Sequence, residues 1–155
     1  MVSIELAREH LKADGDDDDL ITQYIASATS VCEGYCNRKF YADSTAKDVD
    51  YALALAELEA AKQVRDDALD ATDDCDVQNV INNTWISARG ACMARLNGVV
   101  IDDTIAAAIL LVTGRLYRVR QDVAAGQGVA AVQVPEGAKR ILEPYLWIGD
   151  LGGAS

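Results

Sequence analysis

Four cysteines, one histidine, a run of aspartates and three clustered arginines are the residues of this chain whose types could do chemistry. A zinc site shows paired short spacings such as C-x2-C, often with histidine. Here only Cys32 and Cys36 are close; Cys75, Cys92 and His10 stand apart from them. Residues at i and i+4 of a helix hold their Cβ atoms about 5–6 Å apart, beyond the roughly 3.5–4.5 Å that a disulfide wants. The cysteines therefore read as small, mostly buried thiols, and no metal is expected. The run Asp14-Gly15-Asp16-Asp17-Asp18-Asp19 resembles a calcium loop in composition alone, because an EF-hand needs an acid at its twelfth position and that position is Ile25. It reads instead as Gly15 ending a first helix and the aspartates charging the N-terminus of a second. His10 reads as a partly exposed residue at a helix end. No nucleophile elbow, P-loop, dinucleotide fingerprint or H-E-x-x-H motif is present, and Gly126-Gln127-Gly128 neither has the remaining spacing nor follows a strand. The sequence thus offers no catalytic residue and no cofactor-binding residue, and an enzyme is not expected.

The elements that carry these residues are helical. Ser3 suits an N-cap, and Ile4, Ala7 and Leu11 recur on one face of a short helix. A second helix, from about Asp17 to Asn37, bears the stripe Leu20, Ile21, Tyr24, Ile25, Ala28, Val31, Cys32 and Tyr35. From about Lys47 to Leu96 the pattern is that of a helical hairpin. Its first arm holds Val49, Leu53, Ala56, Ala60, Val64 and Ala68 at steps of three and four, its turn lies near Thr72–Asp76, and its second arm holds Val77, Ile81, Trp85, Ala88, Cys92 and Leu96. Asn97-Gly98 stops it. A further helix from about Thr104 to Gln121 places Ile105, Ile109, Val112, Leu116 and Val119 on one face. Arg115, Arg118 and Arg120 load its C-terminal end, where two readings stand: solvated cations complementing the helix dipole, or ion-pair partners for a neighbouring subunit. Val123, Val129, Val132 and Val134 fit a short extended arm in a Gly- and Ala-rich stretch. Pro135 suits the first position of a last short helix, which Pro144 should bend or end. The predicted core is Leu20, Tyr24, Ile25 and Val31 against Ile105, Ile109, Val112 and Leu116.

Length and charge set the outer bounds. A chain of 155 residues fits one domain and can bury a core without disulfides or metals. Half of it is hydrophobic, yet no run approaches the roughly 20 apolar residues that span a bilayer. The start, Met1-Val2-Ser3-Ile4-Glu5, has neither a basic flank nor an apolar h-region, so no secretory signal and a cytosolic setting are expected. The net charge of −11 is uneven: residues 1–98 carry 9 basic and 19 acidic side chains, whereas residues 99–148 carry 5 of each. Such a chain does not hold DNA by neutralising phosphates, which needs clustered Lys and Arg. Acidity suits solubility, mimicry of DNA, or a surface past which DNA slides.

Two segments resemble the head-to-tail connector (adaptor) proteins of tailed double-stranded DNA bacteriophages and prophages. The first is Ile4-Glu5-Leu6-Ala7-Arg8-Glu9-His10-Leu11-Lys12-Ala13-Asp14, with the acidic break and Leu20-Ile21-Thr22-Gln23-Tyr24-Ile25 after it. The second runs from Ile105 through Leu116-Tyr117-Arg118-Val119-Arg120-Gln121-Asp122-Val123 and on to Val134-Pro135-Glu136-Gly137-Ala138-Lys139-Arg140-Ile141-Leu142-Glu143-Pro144-Tyr145. Together they cover about half of the chain, and their order and spacing are more specific than either alone. The resemblance implies a structural subunit of the virion neck, assembled in the bacterial host cytoplasm, that forms a closed ring of about twelve copies between capsid portal and tail. Its partners would be itself, the portal protein and a tail-completion protein. DNA would pass through without specific binding, and no membrane would be involved. A ring of about twelve would carry roughly −130 charges, and a negative lumen would let DNA pass without sticking.

The expected architecture is mainly α: a small helical bundle with a projecting helical hairpin and a short extended arm before the C-terminal helix. It is one adaptor domain, with residues 1–41 and 99–148 as core, 42–98 as a hairpin insertion and 149–155 as a flexible tail. The expected oligomer interface is Arg115, Arg118, Arg120, Val123, Val129, Val132, Val134 and Pro135, because like-charged subunits meet at least cost where charge is balanced. The alternative is an acidic helical interaction protein, such as a DNA mimic, which would stay monomeric or dimeric.

Overall fold

The computed structural model describes residues 2–13, 17–124 and 134–149. The protein is mainly α, with six α-helices among the described residues: α1 (Ile4–Leu11), α2 (Asp18–Cys36), α3 (Ser44–Asp70), α4 (Cys75–Leu96), α5 (Asp103–Ala124) and α6 (Glu136–Leu142). Two-residue strands, β1 (Phe40–Tyr41) and β2 (Val99–Val100), pair with each other. The chain divides into two compact units, one of Met1–Phe40 and Ile101–Ile148, the other built on Tyr41–Val100.

In the first unit α1 packs on α2 and α5, α2 on α5, and α5 on α6. Each helix starts and stops for a local reason. The Ser3 hydroxyl accepts from the Leu6 N–H at 3.3 Å, and Asp102 Oδ1 accepts from the Ile105 N–H at 2.8 Å. Helix α1 ends at Leu11 because Lys12 turns left-handed, with φ 52°, and the Ala13 N–H reaches back to the Arg8 carbonyl at 3.1 Å. The stop assigned to Gly15 lies outside the described residues; Lys12 makes the cap. Asn37, with φ 53°, does the same for α2. Pro135 is the residue before α6, not its first: its carbonyl accepts from the Lys139 N–H at 2.9 Å. Pro144 falls in a single 3-10 turn, Glu143–Tyr145, that ends the run. Helix α5 runs on to Ala124, so Val123 is helical where an extended arm was expected.

The core of this unit is narrow and small-residue rich. Ile105, Ile109 and Val112 are fully buried on α5, and Leu142 on α6. On α2 the fully buried residues are Ile21, Ala28, Cys32 and Cys36, whereas Leu20, Tyr24, Ile25 and Val31, and Leu116 on α5, are half-buried. The stripe is centred on its smaller members. Small side chains let α2 and α5 approach closely, and the larger ones flank the contact, Tyr24 edge-on to Tyr117 at 6.4 Å between centroids. Burial pushes the Cys32 thiol up to about 12 and that of Cys36 up to about 11.

The second unit is an antiparallel pair, α3 on α4, joined by a turn at residues 71–74. Asp43 and Asp74 cap the two helices through their carboxylates, accepting from Ala46 N–H at 2.8 Å and Asp76 N–H at 2.9 Å. The inner face of α3 is Ala54, Leu58, Ala61, Arg65 and Ala68; of the row Val49, Leu53, Ala56, Ala60, Val64 and Ala68 only Ala68 lies on it, and the others are exposed. Long-range polar contacts select between these two rows. Arg95 of α4 grips Asp50 with Nε at 3.0 Å and also binds Glu57, and the Tyr41 hydroxyl donates to Asp50 as well. The Arg65 guanidinium lies 4.8 Å from the ring centroid of Trp85. Asp50, Glu57 and Arg65 can meet α4 only with the second row turned outward.

Candidate functional site

Arg115 and Arg118 sit one turn apart on the outer face of α5, and both are exposed. They edge a groove of about 510 Å³ in the first unit. Its floor is apolar and short of side chains: Leu111, Gly114 and Val119 from α5, with Pro135 and Gly137 at the start of α6. His10 of α1 closes one end.

Several contacts fix this wall. Arg8 ties α1 to α2 through Asp18, with Nη2 to Oδ2 at 2.8 Å and Nε to Oδ1 at 2.7 Å. The Tyr117 hydroxyl donates to Asp17 at 2.5 Å, anchoring the outer half of α5 to the start of α2. Asp102, which caps α5, also accepts from the Tyr145 hydroxyl at 2.5 Å, so one carboxylate holds both the start of α5 and the 3-10 turn that follows α6. That hydroxyl, followed by the backbone amide of Ile105, holds the Asp102 carboxyl below the ordinary aspartate value. Gly114 faces His10 and Leu11, where a Cβ would lie 3.6 Å from His10 Nε2.

Among the described residues, neither Arg115 nor Arg118 has an ion-pair partner. Arg8, Arg65, Lys39 and Lys139 each have one, and Arg95 has two. A planar guanidinium beside exposed apolar surface suits recognition of a carboxylate that arrives with an apolar surface of its own. Among the described residues, no group of three or more His, Cys, Asp or Glu could hold a metal ion.

Of the predicted interface residues, Arg115, Arg118 and Pro135 line this groove, and Val134 beside it is buried at 9% exposure. The side chains of Arg120 and Val123, and the whole of Val129 and Val132, lie outside the described residues. Sequence reasoning missed His10, Leu111, Gly114, Val119 and Gly137 as lining, having set Val119 on the apolar face of α5. The signal for Leu111 was present, because Leu111, Arg115 and Arg118 fall at i, i+4 and i+7 and so share a helix face. The approach of α1 and α6 to that face had no local signal.

A family model described as Phage gp6-like head-tail connector protein matches residues 1–88, which takes in α1, α2, α3 and α4 as far as Ala88; α5 and α6 lie beyond the match. No curated protein and no solved structure matches the chain.

Proposed function

The chain belongs to the phage gp6-like head-tail connector family, and from that premise we propose that it is a structural subunit which joins copies of itself into a ring at the virion neck, between portal and tail. Its work is assembly and not catalysis. The observation that supports self-assembly through a particular face is the groove of α5 and α6. It pairs exposed apolar surface with two guanidinium groups that have no ion-pair partner among the described residues, in a chain whose net charge is −11. Each copy therefore offers a cationic face to neighbours whose residues 1–98 carry 19 acidic against 9 basic side chains.

The interface comprises Arg115, Arg118, Arg120, Val123, Val129, Val132, Val134 and Pro135. The chain acts as one adaptor module, with residues 42–98 as an insertion between the two parts of its core and residues 149–155 as a tail. The other partners are the portal and a tail-completion protein. DNA passes the ring without specific binding, since an acidic wall repels phosphates, and assembly takes place in the host cytoplasm.

Light scattering after size exclusion tests this on wild type, on the pair Arg118→Glu with Arg120→Glu, and on a deletion of residues 125–131, with circular dichroism to confirm folding. Concentrated wild type should form rings that weaken as salt rises, because exposed pairs are screened over about 8–10 Å at ordinary ionic strength. Both variants should be folded monomers. Folded variants that assemble like wild type would contradict the interface. A wild type that stays monomeric or dimeric even with portal present would contradict the ring and favour an acidic interaction module.

A further inference from the structure

The hairpin of α3 and α4 buries little and exposes much. Its fully or nearly buried apolar residues are Ala54 and Cys92, while Val49, Leu53, Val64, Val80 and Ile86 are each more than half exposed. Two helices alone cannot cover both faces of each other, and an apolar face of this size on a domain is usually covered by a further layer. The exposed surface is organised. Val64, Arg65 and Ala68 of α3 and Val80, Ile81 and Thr84 of α4 wall a largely apolar groove of about 300 Å³ with Trp85 at its side, and the Arg65 charge is already met by Asp66. Val64 and Val80, at 68% and 65% exposure, form its two lips.

One turn from these lips stand exposed acids, opposite in charge to the arginines of the α5 face. Asp67 lies one turn beyond Val64 on α3, and Asp76 one turn before Val80 on α4; both are exposed. Asp67 accepts from Gln63 Nε2 at 2.7 Å through one carboxylate oxygen. Asp70, Asp73 and Asp74 crowd the same end of the hairpin, and residues 41–100 sum to −6. A second hairpin laid on this groove would set acid against acid. An occupant that fits has a large apolar side chain followed at one-turn steps by cations. The outer face of α5 has that pattern: Leu111, 38% exposed, then Arg115 and Arg118 at i+4 and i+7.

We propose that the groove of the hairpin receives the Leu111–Arg115–Arg118 face of α5 from a second copy of this chain. The side chain of Leu111 seats between Val64 and Val80, and the two guanidinium groups meet Asp67 and Asp76. The proposal rests on the self-assembly described above and names the surface that answers the arginines. The contact joins two different faces, so each subunit keeps one face free for the next, and the chain of subunits closes where the rotation allows. It also gives the hairpin a role: it supplies the acidic, apolar half of every subunit junction.

Charge reversal with rescue tests it, read by light scattering on the full chain with circular dichroism as the folding control. Arg115→Asp with Arg118→Asp should shift assembly to at least about tenfold higher protein concentration, and Asp67→Arg with Asp76→Arg should do the same. All four substitutions in one chain should restore assembly. A hairpin reversal that assembles like wild type overturns the docking and leaves the ring standing. So does a fourfold variant that is folded yet monomeric. A wild type that never assembles removes both. Should the hairpin reversal fail to fold, oxidising a Leu111→Cys chain mixed with a Val80→Cys chain, each also carrying Cys75→Ser, decides the matter. A disulfide-linked pair of the two chains is expected, and its absence overturns the docking.

Discussion

Asp102 shows how much a single carboxylate can organise here. One oxygen caps α5 and the other accepts the Tyr145 hydroxyl. Both contacts favour the ionised form, so the carboxyl titrates below its ordinary value when folded. The contribution to stability is therefore present above the unfolded aspartate value and is lost as pH falls through the lowered folded one. Tyr145 is shifted the other way, raised mainly by its bond to Asp102, so the same pair also weakens as pH climbs past the ordinary tyrosine value. Tyr145→Phe should cost about 1 kcal/mol at neutral pH, given how exposed the bond is. The cost should shrink below about pH 4, where the unfolded carboxyl is protonated. Urea midpoints of wild type and variant between pH 3 and pH 7 measure this. Parallel curves would mean that the bond carries no linkage to pH.

Helix α5 is the element on which the first unit depends. Ile105, Ala108, Ile109 and Val112 are all fully buried and share one face. Ile109→Asp places an unpaired charge in that core, at a cost of more than about 4 kcal/mol, and thermal circular dichroism should show the unit unfolded; full retention of the melting transition would mean that this face is not the core. At this scale the sequence was legible wherever one apolar stripe dominates, as on α5, and wherever capping side chains stand at the helix starts, as at Ser3. It misled where two rows compete. On α3 the row Val49, Leu53, Ala60 and Val64 is the more hydrophobic one, yet Arg95 binds Asp50 from 45 positions away and turns the other row inward. No local period encodes that contact. On α2 the stripe itself was right, but which of its members lie at the centre depends on how closely α5 approaches, and Ala28, Cys32 and Cys36 allow a close approach. Helix α1 stops at a left-handed Lys12, a conformation that residue type alone argues against. The candidate groove was half legible: its arginines stood out by spacing and charge, whereas His10 and Gly137 reach it only through packing.

At the scale of the whole molecule, an acidic chain of a head-tail connector family carries, among the described residues, an apolar groove edged by Arg115 and Arg118 and another between Val64 and Val80, with the exposed Asp67 and Asp76 one turn from its lips. Under the docking proposed above, each groove meets a face of another copy. Net charge makes any assembly of such chains sensitive to where the balanced surfaces lie, because every other approach sets like charges together. Negative-stain microscopy of the concentrated full chain, alone and mixed with its portal, tests the central claim most directly. Annular particles, stacked on the portal when it is present and dispersed by high salt, are the predicted result. Single small particles at every concentration, with no density added to the portal, would contradict it.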